Sequence, residues 1–408
     1  MTELDLAFVR SQFPAFAEPT LEGWGFFENA GGSYPCKQVV RRLTEFYTRT
    51  KVQPYAPYPA SRRAGALMDE AYLRLATCLD VADDEVHFGP STSQNTYVLA
   101  HALRPLWAEG DEIVVTEQDH EANSGAWRRL EATGLTLREW KVDPDTGHLD
   151  PAGLDALLTD RTRLVALPHA SNIVGEINPV AEIAAKARAA GAITVVDGVS
   201  YAPHGLPDIE ELGTDVYLFS SYKTYGPHQG VMAVRRALAE RAENQGHYFN
   251  ADDLRKRLTP AGPDHAQIAA LAGLADYIDA LYSHHFTTNL AADGRARRVH
   301  DLMRDHEIAR MRPLLEYLKG RGDIRLIGPT RPEDRAPTFS IAHKRPGEEL
   351  ARDLAEHRIM AGGGSFYANR LVEALGIDPA HGVLRVSFVH YTSPEEIDRL
   401  IRALDAVL

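Results

Sequence analysis

Cysteine is scarce in this chain of 408 residues: only Cys36 and Cys78 occur. Neither stands in a CxxC or other ligand-bearing spacing, which excludes a disulfide framework and argues against a structural zinc site or any other metal centre. Long apolar runs are missing too. No stretch approaches the roughly 18 uninterrupted apolar residues of a membrane span. The N-terminus "MTELDLAFVRSQFPAF" carries acids instead of the apolar core of a secretion signal. Basic charge is short as well: 44 Lys+Arg against 57 Asp+Glu leave a formal charge of −13. Neither a phosphate backbone nor an anionic membrane is therefore the expected partner. The absences together predict a protein that stays in the reducing cytoplasm, with no nucleic-acid or membrane partner.

What is present is size and alternation. A chain this long exceeds the point at which one hydrophobic core stops growing, so one large and one small domain are expected. From about residue 85 to 235, short apolar strands alternate with amphipathic helical stretches, the pattern of an α/β domain with a mainly parallel sheet. "DEIVVTEQDHEAN", "RTRLVALPHASN", "AGAITVVDGVSYAPH" and "TDVYLFSSYKTYGP" each run from a strand into polar or small residues. In such sheets ligands bind beyond the carboxyl ends of the strands. "PVAEIAAKARAAG" reads as a helix stopped by Gly191, and "PDHAQIAALAGLADYIDALY" as a long one with an apolar stripe. More helix follows over 285–320. From about 323 a mixed strand and helix pattern resumes, closing on "SPEEIDRLIRALDAVL" with Ser393 as N-cap and Pro394 at N1.

Chemistry is concentrated at the strand ends. Lys223 follows the apolar run "VYLFS", although lysine is strongly hydrated and rarely buried. Asp197 ends "AITVV", where a carboxylate is costly unless it faces a cation or a strong donor. An aspartate at one strand end, followed by a lysine at the next, resembles the pair of pyridoxal-phosphate enzymes. There the lysine forms a Schiff base and the aspartate keeps the pyridine nitrogen protonated.

With these residues the chain resembles the class V aminotransferase family, whose best-known members are cysteine desulfurases and selenocysteine lyases. The resemblance runs along nearly the whole sequence. It implies fold type I of the pyridoxal-phosphate transferases, aspartate aminotransferase-like, with a mainly parallel seven-stranded sheet and a smaller C-terminal α/β domain. The expected boundaries are 20–265 for the large domain, and 1–19 with 266–408 for the small one. By the same resemblance Lys223 matches the Schiff-base lysine, Asp197 the pyridinium partner and His120 in "DHEAN" the histidine stacked on the ring. Thr92 and Ser93 in "GPSTSQNT" match phosphate donors at a helix start, where N–H groups favour an anion. Ser220 matches a second phosphate contact. Asn172 in "HASNIVG" matches an asparagine near the phenolic oxygen and the substrate, and Arg385 in "LRVSFVHYTSPEE" the clamp on the α-carboxylate. Asn29 and Gly31 lie in "FENAGGSY", a loop near the substrate in the family. Singly, each has an ordinary reading: a loop cap, a loop histidine, a helix N-cap, an ion-pair arginine. Their agreement with one pattern, in order and at strand ends or helix starts, is what points to the cofactor.

Departures from the family accompany the matches. Desulfurases carry a mobile cysteine whose thiolate takes the substrate sulfur, yet the matching loop "IMAGGGSFYANRL", residues 359–371, has none. Cys36 is the one substitute near the substrate loop, and Cys78 reads as core. Ser200 stands where glutamine is common and Tyr222 where histidine is common. Gly262 replaces a threonine that, in the family, reaches the partner subunit's phosphate site. The expected protein is a homodimer with shared active sites that binds pyridoxal 5′-phosphate, with Ser200 and Tyr222 among the cofactor contacts. It acts on an L-amino acid as a desulfurase-like lyase without a persulfide cysteine. Class V transamination and amino-acid epimerisation stay open, as does a low-turnover, cofactor-binding regulatory protein.

Overall fold

The computed structural model describes residues 2–260 and 262–408. Its strands, in chain order, are β1 (Gly25–Phe26), β2 (Val86–Gly89), β3 (Glu112–Thr116), β4 (Thr136–Trp140), β5 (Thr162–Pro168), β6 (Ile193–Asp197), β7 (Val216–Ser220) and β8 (Gly230–Val234). After a helical stretch come β9 (Arg325–Ile327), β10 (Thr338–Ala342), β11 (Ile359–Met360), β12 (Gly362–Gly364) and β13 (Val383–Ser387). The helices that matter here are α1 (Lys37–Arg49), α2 (Pro59–Leu79), α3 (Thr92–Leu103), α4 (Glu121–Arg128), α5 (Val180–Ala189), α6 (His265–His285), α7 (Ala292–Lys319) and α8 (Pro394–Val407).

Seven strands form one sheet in the order β2-β8-β7-β6-β5-β3-β4. The run from β7 to β4 is parallel, while β8 lies antiparallel to both β7 and β2. Its central strands are mostly apolar because both faces are covered. Alternation still decides which face each side chain joins. Ile113, Val115, Leu164, Ala166, Val195 and Leu218 pack with Leu99, Leu103 and Trp127 of α3 and α4. Val114, Val165, Leu167, Val196 and Phe219 turn to the other face, towards Val39 of α1, Leu75 of α2 and Leu271 of α6.

A second, antiparallel sheet runs β12-β13-β10-β9. Phe339, Leu384 and Val386 of this sheet pack on Leu314 and Leu318 of α7 and on Leu400 and Leu404 of α8. Helix α8 begins as the sequence predicts: Ser393 and Glu396 form a reciprocal capping box and Pro394 follows at the first position. Near the N-terminus, β1 pairs in parallel with β11, and the bridge from Glu28 to Ser387 carries that segment to β13. Helix α6 packs on α1 and α2. We propose on these contacts that the domain division falls after α6, beyond residue 265, and that residues 25–28 go with the small domain.

Candidate active site

The strand directions put the ends of β3, β5, β6 and β7 on one edge of the large sheet. Asp119 and His120 lie just past β3, Asn172 past β5 and Lys223 past β7, while Asp197 is itself the last residue of β6. The antiparallel β8 brings a further chain segment to the same edge. Gly230 pairs with both Ser220 and Gly89, so the chain leaving β2 enters α3 beside the end of β7. A Cβ on residue 230 would meet the carbonyl carbon of Ser91 at 2.4 Å, and glycine permits this approach. As a result the Thr92 and Ser220 hydroxyls are hydrogen-bonded at 2.8 Å. Arg385 enters from the small domain on β13.

These elements enclose a cavity of about 460 Å³. Gly31, Thr92, Ser93, His120, Asn172, Asp197, Ser200, Ser220, Tyr222, Lys223 and Arg385, all singled out in the sequence, line it. Asn29 does not. Its amide donates to the carbonyls of Phe26 and Ser387, and its side-chain oxygen accepts from the Tyr391 hydroxyl, so Asn29 is engaged between the N-terminal segment and β13. Cys36 is buried at the start of α1 with Sγ 3.8 Å from the Gly273 carbonyl, and Cys78 is buried within α2. Burial pushes both thiols up to about 12.

Electrostatics differ sharply from residue to residue. Lys223 is 9% exposed, and no hydrogen bond or ion pair engages its amine among the described residues. Burial, then the nearby Arg385, lower its pKa to about 8, against the pull of Asp197 and Glu28. Burial raises the Asp197 carboxyl to about 6, opposed by the 2.8 Å bond from the Val199 N–H and by Lys223. His120 caps α4 by accepting from the Ala122 N–H at 3.0 Å. Burial, Lys223 and Arg385 lower it to about 3, so its ring is neutral. Asn172 donates its amide to the Phe366 carbonyl at 3.0 Å and keeps a buried side-chain oxygen with no partner among the described residues.

Sequence reasoning missed several lining residues. Glu28 pairs with Arg385 at 2.8 Å, Phe366 stacks on the same guanidinium, and the His228 ring lies flat against Tyr222 at 4.6 Å. Asp119 is buried with one oxygen unpartnered among the described residues, the other accepting from Asn123 at 2.7 Å. Burial and the facing Asp197 hold it well above the ordinary carboxylate range. The signal for Asp119 and Glu28 was their adjacency to His120 and Asn29; nothing local marked Phe366.

This donor set fits pyridoxal phosphate. A buried, unpaired amine suits its aldehyde, a buried carboxylate its ring nitrogen, a neutral imidazole its ring face. Hydroxyls at the start of a 12-residue helix suit its phosphate.

Known proteins agree with the geometry. The profile of the Aminotransferase class-V family matches residues 25–400. An aminotransferase-like protein of Gibberella zeae is 36% identical, covering 98% of both chains. A cysteine desulfurase of Pectobacterium carotovorum is 30% identical over 98% of this chain and 97% of its own. Among solved structures, a cysteine desulfurase of Thermococcus onnurineus superimposes with a TM-score of 0.85 at 23% identity, covering 100% of this chain and 99% of the other. That likeness bears on the fold, which is the type I fold of pyridoxal-phosphate enzymes. The chain belongs to the class V aminotransferase family of pyridoxal-phosphate-dependent enzymes.

Proposed function

We propose that the protein is a lyase of the cysteine desulfurase-like type that cleaves a bond from Cβ of an L-amino acid to a leaving group, sulfur included, without a protein persulfide. One observation carries the reading: Lys223, Asp197 and Arg385 converge on a single cavity while both thiols are buried outside it. A thiol that ionises only near 12 is not a thiolate at neutral pH, and a buried one has no path to the substrate.

When bound, the cofactor supplies an aldehyde for amines and a ring that draws electrons from the substrate's Cα. The residues divide the remaining work. Thr92, Ser93, Ser220 and the start of α3 hold the phosphate, with the Tyr222 hydroxyl beside Ser220. Ser200 faces the ring substituents. Asp197 favours a protonated ring nitrogen, and the neutral His120 offers a flat face instead of a competing charge. Arg385 takes the α-carboxylate with Asn172 close by, and Gly31 leaves room for the substrate. Lys223 Nζ, with its lowered pKa, accepts the Cα proton; departure of the Cβ substituent completes the elimination.

The working unit in this proposal is a homodimer with shared sites. Tyr55, Tyr58, Tyr248 and Phe249 are exposed apolar rings that support self-association. The experiment is a panel of L-amino acids incubated with holoenzyme. Release of pyruvate, with sulfide when L-cysteine is the substrate, supports the lyase. Accumulation of pyridoxamine phosphate that a keto acid reverses, or racemisation without release, overturns it.

A further inference from the structure

Arg385 is held in an unusual way for a residue assigned to meet substrate. It is 2% exposed, and one face of its guanidinium lies 3.7 Å from the centre of the Phe366 ring. One terminal nitrogen donates to Glu28 at 2.8 Å and the other to the Asn172 carbonyl at 3.2 Å, while Nε has no partner among the described residues. Asn172 in turn donates its amide to the Phe366 carbonyl at 3.0 Å. Three residues from three segments thus close a ring: Asn172 after β5, Phe366 in the glycine-rich loop and Arg385 on β13.

The loop adopts this form against its own backbone preference. Phe366 and Tyr367 have φ of +51° and +58°, a region that side chains other than glycine's rarely enter. Neighbouring bonds hold both: Asn172 on the Phe366 carbonyl, and the Glu121 N–H on the Tyr367 carbonyl at 2.9 Å. Strain of this kind persists where surroundings over-determine it, and it clusters at functional sites. Gly364, at φ +139° and with open space where a Cβ would stand, supplies the bend that leads into it.

We propose that Phe366 is the positioning residue for the carboxylate clamp. Its ring covers the flat face of Arg385, so the guanidinium meets an incoming carboxylate through an edge, the geometry that planar two-point pairing needs. An aromatic face also attracts the cation without taking up any of its N–H donors. Glycines 362–364 carry the ring into place. Because Phe366 itself lines the cavity, it bounds the space left for the substrate's side chain. This proposal rests on the reading of Arg385 as the clamp.

The test uses holoenzyme, with L-cysteine as probe and L-alanine as a probe without a good leaving group. Phe366→Ala is expected to raise KM for L-cysteine, and the half-saturation of the visible-band shift by L-alanine, about tenfold with kcat changed less than threefold. The cofactor spectrum before substrate should not change. Phe366→Tyr should restore affinity and Phe366→Leu should not, because the aromatic face is the requirement. A substrate-free readout accompanies these: amide hydrogen exchange over 365–368 should quicken about tenfold in Phe366→Ala and not in Phe366→Tyr. Unchanged affinity and exchange in Phe366→Ala, with binding lost in Arg385→Lys, overturns the positioning role alone. Unchanged affinity in Arg385→Lys overturns the clamp, and the proposal with it.

Discussion

The hydroxyls of Thr92 and Ser220 stand 2.8 Å apart although 128 residues separate them in the chain. The register of β8 between β2 and β7, and the absence of a side chain at Gly230, bring them together. In the proposed site both hydroxyls turn to the cofactor phosphate. Hydrogen bonds to charged groups contribute about 1.5–3 kcal/mol, and 1.4 kcal/mol is about tenfold in affinity. Thr92→Val and Ser220→Ala are each expected to weaken pyridoxal phosphate binding by about tenfold or more, measured by titrating apoprotein and following absorbance. Binding within twofold of the parent in both variants would refute their place in the phosphate site.

Lys223 gives a prediction in pH. Only a neutral amine condenses with an aldehyde, and burial with Arg385 lowers this pKa from 10.5 to about 8. A lowered amine pKa makes the neutral form available at lower pH. The rate at which apoprotein takes up pyridoxal phosphate should therefore rise as pH climbs through about 8 and level off above it. A rate that keeps climbing towards the ordinary lysine range would show that Lys223 is solvated. Lys223→Ala should bind the cofactor without the borohydride-sensitive visible band.

Much of this arrangement is legible in the sequence. The apolar runs ending at Asp197 and Ser220 announce doubly covered strands, and the polar residues after them mark the sheet edge where the cavity forms. The capping signals at Ser91 and Ser393 likewise fix helix starts through local chemistry. What stayed hidden depends on pairing between distant segments. The bridge from Glu28 to Ser387 is one residue away from putting Asn29 in Glu28's place, and sequence spacing does not fix that register. Phe366 reads as one more aromatic after glycines, and its partner Arg385 comes from a different strand. The length of α6 was visible, but which domain its apolar faces would join was not.

Asp119 offers a test of buried charge. One of its oxygens has no partner among the described residues, and burial with the facing Asp197 raises its pKa well above 3.8. A group whose folded pKa is raised adds stability that is fully present below the unfolded value and is lost as pH rises through the folded one. Asp119→Asn keeps the shape and an acceptor for Asn123 while removing that ionisation. Its melting temperature should exceed the parent's at pH 8, and the gap should narrow towards pH 4. A variant less stable than the parent at pH 8 would mean that the carboxylate charge is compensated in the fold.

The two cysteines provide the sharpest check on the thiol-free reading. A persulfide relay needs a thiolate that reaches the substrate, whereas Cys36 is 0% exposed and Cys78 7%, each pushed up to about 12 by burial. Cys36→Ala and Cys78→Ala each remove a small buried side chain, a change that costs about 1 kcal/mol of stability. Neither should change kcat/KM for the substrate found in the amino-acid panel by more than about twofold, and the double variant should behave alike. Mass spectrometry of holoenzyme after turnover of L-cysteine should find neither residue carrying an added sulfur. A hundredfold loss in Cys36→Ala with the melting transition and cofactor spectrum intact, or a persulfide on Cys36, would require the start of α1 to open during turnover. The chain would then belong with the sulfur-relaying members of its family.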